Sequence, residues 1–109
     1  MITNNLKLQF KGFSPSEFTE RYLHGKFGLL LEEAPYGSVL KVTYRKENEG
    51  YKGLLVICAK RGKKFVSFGF GDNLKVVTQE MMEKIKQQLS SWKARRFNDE
   101  VSYGETNLA

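Results

Sequence analysis

The sequence has one cysteine, one histidine and no long apolar run, and each shortage excludes a class of protein. A lone thiol, Cys58, cannot form an intramolecular disulfide, and it fits a reducing compartment. The one histidine, His24, lies far in sequence from Cys58, so the pair makes no metal site. The longest apolar stretch, Leu54 to Ala59, suits a buried strand and falls well short of the ~20 residues a membrane span requires. Met1 to Lys7 carries no apolar signal region, so export is not expected and a cytoplasmic location is. Repeats and low-complexity segments are absent.

Catalytic groupings are scarce as well. Cys58 stands between Ile57 and Ala59 and reads as a core thiol rather than a nucleophile. The carboxylates read as capping or solvated groups, and Glu80 and Lys84, four apart, as a helix-surface ion pair. Gly69-Phe70-Gly71-Asp72-Asn73-Leu74 resembles a dinucleotide-binding turn, but Leu74 occupies the third glycine position and no parallel β-α-β unit surrounds it. The expectation is a protein that is not an enzyme and needs no cofactor or metal.

Charge is what the sequence does have. Eighteen basic residues against nine acids give residues 1–96 a formal +9, and three acids without a base give the remainder −3. A compact body with that excess attracts polyanions, or is simply soluble. One domain over residues 1–96 and an acidic, flexible tail over 97–109 are expected.

The order of elements follows from periodicity. Leu6, Leu8 and Phe10 alternate with polar residues as in a half-buried strand. Ser14-Pro15-Ser16-Glu17 reads as a helix start, with Ser14 as cap, Pro15 first and Glu17 completing a capping box. That helix runs to about Glu33, with Leu23, Phe27 and Leu30 on its inner face. Leu40, Val42 and Tyr44 share one side of a second strand, about 39–46. A third strand, 51–60, meets a fourth, 63–70, across Arg61-Gly62 in a tight hairpin. In the fourth, Val66, Phe68 and Phe70 alternate with Phe65, Ser67 and Gly69, and Phe65 is read as the exposed side, there either to stack a base or to help cover the open sheet in a dimer. Asp72 or Asn73 caps a last helix reaching about Arg96, whose stripe is Leu74, Val77, Met81, Ile85, Leu89 and Trp92. The fold expected is α+β: a β-α-β-β-β-α two-layer sandwich, with a four-stranded, mostly antiparallel sheet and two helices on one face.

Two groups of cations are candidates for RNA binding. With Ile85 as zero on a helical wheel, Lys75, Lys86 and Lys93 fall at about +80° to +100° and Lys84 and Arg95 at about −80° to −100°, with Arg96 closing the end. Shoulders of this kind can meet phosphates, or they can cover the edge of the core with their stems. The second group, Lys60, Arg61, Lys63 and Lys64, crowds a hairpin tip, either for polyanion contact or for edge protection. The uncovered sheet face, taken to lie around Phe65, Leu55 and Ile57, offers a homodimer contact.

Three stretches resemble the ribosome hibernation-promoting factor (sigma-modulation) family in its short form. Lys26-Phe27-Gly28-Leu29-Leu30 is similar to that family's Lys-Phe-x-x-Leu in the first helix. Gly71-Asp72-Asn73-Leu74 is similar to its Gly-x-Asp-Met before the second. Glu83-Lys84-Ile85-Lys86-Gln87-Gln88-Leu89 is similar to its Asp-Lys-Leu-x-x-Gln-Leu, followed by Lys93 and Arg95 where the family is also basic. Gln87, Val76-Val77 and Gln79 depart from the pattern. Double-stranded RNA-binding domains share the α-β-β-β-α core, but their lysine run at the last helix is reduced here to Lys75. The family resemblance implies a stress-response regulator of translation that occupies the mRNA and tRNA channel of the small ribosomal subunit, with ribosomal RNA as partner and no membrane.

Overall fold

The computed structural model describes residues 5–108, with side chains described through Arg95. Its elements are β1 (Leu6–Lys11), α1 (Glu17–Glu33), β2 (Val39–Glu47), β3 (Gly50–Cys58), β4 (Lys64–Gly71) and α2 (Leu74–Leu108). The sheet runs β1-β2-β3-β4 in space as in sequence. β1 and β2 are parallel and joined by α1, whereas β3 is antiparallel to both β2 and β4. Both helices cover one face, so the expected two-layer α+β sandwich is the one observed.

Local chemistry explains the boundaries. Ser16, not Ser14, caps α1, its Oγ accepting the Thr19 N–H at 3.1 Å, and Pro15 therefore stays outside the helix. A tight turn follows α1, in which Ser38 N–H donates to the Pro35 carbonyl at 3.1 Å and Gly37 takes φ +82°. Only a residue without Cβ occupies that region cheaply. Asn73 caps α2, accepting the Val76 N–H at 3.0 Å. No proline stands between Arg96 and Leu108, and the backbone helix continues past the expected end to Leu108. The side chains of the acidic segment, Asp99, Glu100 and Glu105, lie outside the described residues.

The hairpin between β3 and β4 is longer than expected. Ala59 N–H donates to Lys63 O at 2.8 Å and Gly62 N–H to Ala59 O at 3.1 Å. Lys60, Arg61 and Gly62 thus form a three-residue loop, and Gly62 supplies the positive φ, +84°, that such a loop needs.

The core lies between the helices and the sheet. Val77, Met81, Ile85 and Leu89 of α2 are fully buried, with Leu74 and Trp92 packed at the ends of the stripe. They meet Leu55, Ile57 and Phe65 from the sheet, while α1 contributes Leu23, Phe27 and Leu30. β4 is turned over relative to the sequence reading. Phe65 is 2% exposed, whereas Phe68 and Phe70 are 60% and 62% exposed. Leu55, Ile57 and Phe65 are therefore under the helices and cannot form the dimer surface expected of them. The cause is the approach of α2: a Cβ on Gly69 would stand 2.5 Å from the Val77 carbonyl oxygen, and one on Gly53 2.7 Å from Met81 Sδ. Gly53 and Gly69 are cross-strand partners. Small residues therefore face inward there, and the aromatics are sent outward. Cys58 shares that outward parity and is half-buried on the open face, outside the core.

Candidate nucleic-acid interface

Three side chains of α2 reach over the margin of the sheet. Gln88 accepts from Val66 N–H at 3.2 Å and donates to Val66 O at 2.6 Å. Lys84 donates to Phe68 O at 3.2 Å, and Glu80 accepts from Phe70 N–H at 2.9 Å. Their spacing of four puts them on one helix face, which runs alongside β4 in the opposite chain direction. Lys84 also bridges to Glu80 at 2.9 Å, as its sequence spacing predicts. Hydrogen bonds from Lys84, then from the Phe70 N–H, hold the Glu80 carboxyl below the usual carboxylate range. Lys84 is thereby committed to the protein more than to a ligand.

Beside this seam runs a groove of about 490 Å³ lined by Lys63, Lys64, Phe65, Lys84, Gln87, Gln88, Ser91 and Arg95. The fold thus brings both sequence-predicted groups together: the hairpin supplies Lys63 and Lys64, and one shoulder of α2 supplies Lys84 and Arg95. Lys86 lies on the other shoulder. There it borders a hollow shared with Arg21 and Lys26 of α1, together with Tyr22, Leu29 and Met82. Lys60 packs its stem against Gly37 and sets its ammonium 5.7 Å from the Tyr36 ring centre. It lines a third hollow with Arg61, Lys63 and Trp92. Lys75 and Lys93 are exposed on α2 away from these hollows. The side chain of Arg96 lies outside the described residues.

One polar contact inside the core went unseen in the sequence. Tyr44 and Thr78, both buried, share a hydrogen bond of 2.6 Å that ties β2 to α2. Burial pushes the Tyr44 phenol up to about 12, and the bond to Thr78 offsets part of that rise. Neither group lines the hollows described above, and the contact serves to hold β2 against α2. Among the described residues there is no cluster of three or more potential metal ligands. Nor is any helix there long and apolar enough to cross a membrane.

No protein-family model matches the chain, and no curated protein matches it. Among solved structures, the N-terminal domain of Protein Y from Thermus thermophilus superposes with a TM-score of 0.66. The match covers 79% of this chain and 94% of that domain. The fold is shared. Identity is 12%, so the likeness to the Protein Y domain is one of architecture and not of side chains.

Sequence reasoning missed the cations of the open sheet face. Lys7, Lys11, Lys41, Arg45 and Lys52 project there, opposite the buried positions of β1, β2 and β3. The signal was present, because in a strand the residues between buried ones face the other way. Arg21 and Lys26 escaped notice as isolated charges, and only the packing of α1 beside α2 joins them to Lys86.

Proposed function

We propose that the chain is a cytoplasmic ribosome-associated factor that binds the small subunit and halts translation by occupying the mRNA and tRNA channel. It acts without a reaction and without a cofactor. The observation that carries this reading is the groove where Lys63, Lys64 and Arg95 converge beside Lys84. It is supported by the motif resemblance to the hibernation-promoting factors and by the architecture common to this chain and the Protein Y domain. Folded ribosomal RNA presents phosphates at fixed spacings, and cations on a rigid strand and helix meet them through position rather than sequence. Lys60 and Arg61 at the hairpin tip extend that basic side, and Lys86, with Lys75 and Lys93, adds cations on the opposite shoulder of α2.

Sucrose-gradient sedimentation with purified ribosomes tests it. The protein is expected to travel with small subunits. With about four phosphate contacts, fourfold higher salt weakens that association roughly 50- to 150-fold. Replacing Lys63 and Arg95 with Glu should release the protein at salt concentrations where wild type stays bound. Salt-independent sedimentation, or unchanged binding of the double variant, would reject the groove as the contact.

A further inference from the structure

We propose that the open face of the sheet is a second nucleic-acid site, one that takes single-stranded RNA by stacking bases on Phe68 and Phe70. The face is divided. Its β3–β4 half is apolar between Lys52 at one end and Lys64 at the other, with Leu54, Val56 and Val66 beside the two rings, which are 60% and 62% exposed. Its β1–β2 half is basic. Strand register assembles rows across it: Lys7 stands opposite Lys41, and Lys11, Arg45, Lys52 and Phe70 follow one another from β1 to β4. The Lys52 ammonium sits 5.4 Å from the Phe70 ring centre, at the boundary of the two halves.

None of these cations forms an ion pair among the described residues, and Glu47 is the one acid on the face. Like charges placed directly opposite one another repel, so the face holds a charge pattern that a polyanion relieves. That pattern argues against a second copy of the chain, whose own face would carry the same cations. An added strand is excluded at the β4 margin, beside the two rings, because Gln88, Lys84 and Glu80 already occupy polar backbone groups there. A single strand of RNA answers both halves: its unstacked bases present flat apolar surfaces and its phosphates meet cations. Phe68 and Phe70 lie two residues apart on one face, about 7 Å, a step that neighbouring bases of an extended strand can bridge.

The test is fluorescence anisotropy with a labelled ten-nucleotide RNA of mixed sequence, single-stranded and as a duplex. Wild type should prefer the single strand. Phe68→Leu with Phe70→Leu should weaken single-strand binding by at least about tenfold, yet still sediment with small subunits as wild type does. Lys63→Glu with Arg95→Glu should give the reverse result, which separates this site from the groove. Should the phenylalanine variant fail to fold, Arg45→Gln with Lys52→Gln carries the test through a reduced salt dependence of single-strand binding. The proposal is overturned by equal affinity for single strand and duplex in the Lys63→Glu, Arg95→Glu variant, by unchanged single-strand affinity in the open-face variants, or by a dimer that Phe68→Leu dissolves.

Discussion

The two faces of the sheet differ in side-chain size where α2 comes closest. There β3 and β4 present Gly53, Ser67 and Gly69 to the helix, while Phe68 and Phe70 point to the uncovered side. Ser67 is held there by donating to the Met81 carbonyl at 2.9 Å. A covered face is not always the one with the larger apolar residues. What decides is how near the covering element comes, and here α2 comes near enough to leave no room for a Cβ.

Four measurements can break or sharpen that contrast, and the largest effect belongs to the covered side. Gly69→Ala should cost about 3 kcal/mol in urea unfolding, because the new methyl meets a backbone oxygen that cannot swing aside. An alanine at Phe70, on the open side, should stay within about 1 kcal/mol of wild type.

Next comes Tyr44→Phe. It leaves the Thr78 hydroxyl buried without its partner and should cost about 1 to 2 kcal/mol. The same tyrosine sets an alkaline limit. Its folded value, about 12, lies above the ordinary value of about 10, so its contribution is complete below pH 10 and is lost as pH rises toward 12. Thermal melts across that window should show a steeper alkaline decline in wild type than in Tyr44→Phe.

These two predictions rest on features of unequal legibility. The stripe of α2 and the inward set Leu40, Val42 and Tyr44 could be read directly, since polar residues separate the apolar ones and fix the phase. β4 offered no such phase. Phe65, Val66, Phe68 and Phe70 are apolar on both parities, and hydrophobicity alone could not say which side was covered. The useful signal was the glycine pair Gly53 and Gly69, which becomes meaningful only once register sets them side by side. The basic groove was half legible. Its residues were named, but that Lys63 and Lys64 meet Arg95 rather than Lys86 depends on which shoulder of α2 lies over β4. The hairpin was read one residue short, because Arg61-Gly62 has turn chemistry and the closing bond from Ala59 to Lys63 leaves no mark in sequence.

The margin of β4 should give a smaller thermodynamic effect with a visible consequence. Glu80→Ala with Gln88→Ala frees Val66 and Phe70 backbone groups and should lower the urea midpoint slightly, less than Tyr44→Phe does. Sedimentation velocity should then show association that grows with concentration, as an uncovered edge recruits strands. The Glu80 carboxyl has a depressed pKa. Its support is therefore present at neutral pH and is lost as pH falls through that value, so acid should reproduce the variant's behaviour in part.

The smallest effect is expected on the open face. Arg45→Glu places an acid between Lys11 and Lys52 and should raise stability by about 0.5 kcal/mol at low salt, with the gain fading as salt screens the row. A loss of stability would mean that the cations there are already balanced.

Strand order that follows chain order has a kinetic consequence. Each strand pairs with its neighbour in sequence, and within β2–β3–β4 no pairing waits for a distant segment to arrive. The β2–β3–β4 meander closes through a short polar turn and a three-residue loop, and short loops cost little entropy to close. β1 must wait for α1 to form before it reaches β2, and α2 has no surface to dock on until Gly53 and Gly69 stand side by side. Folding should accordingly begin in the meander and end with the first strand, and substitutions in β3 should slow folding while those in β1 chiefly speed unfolding.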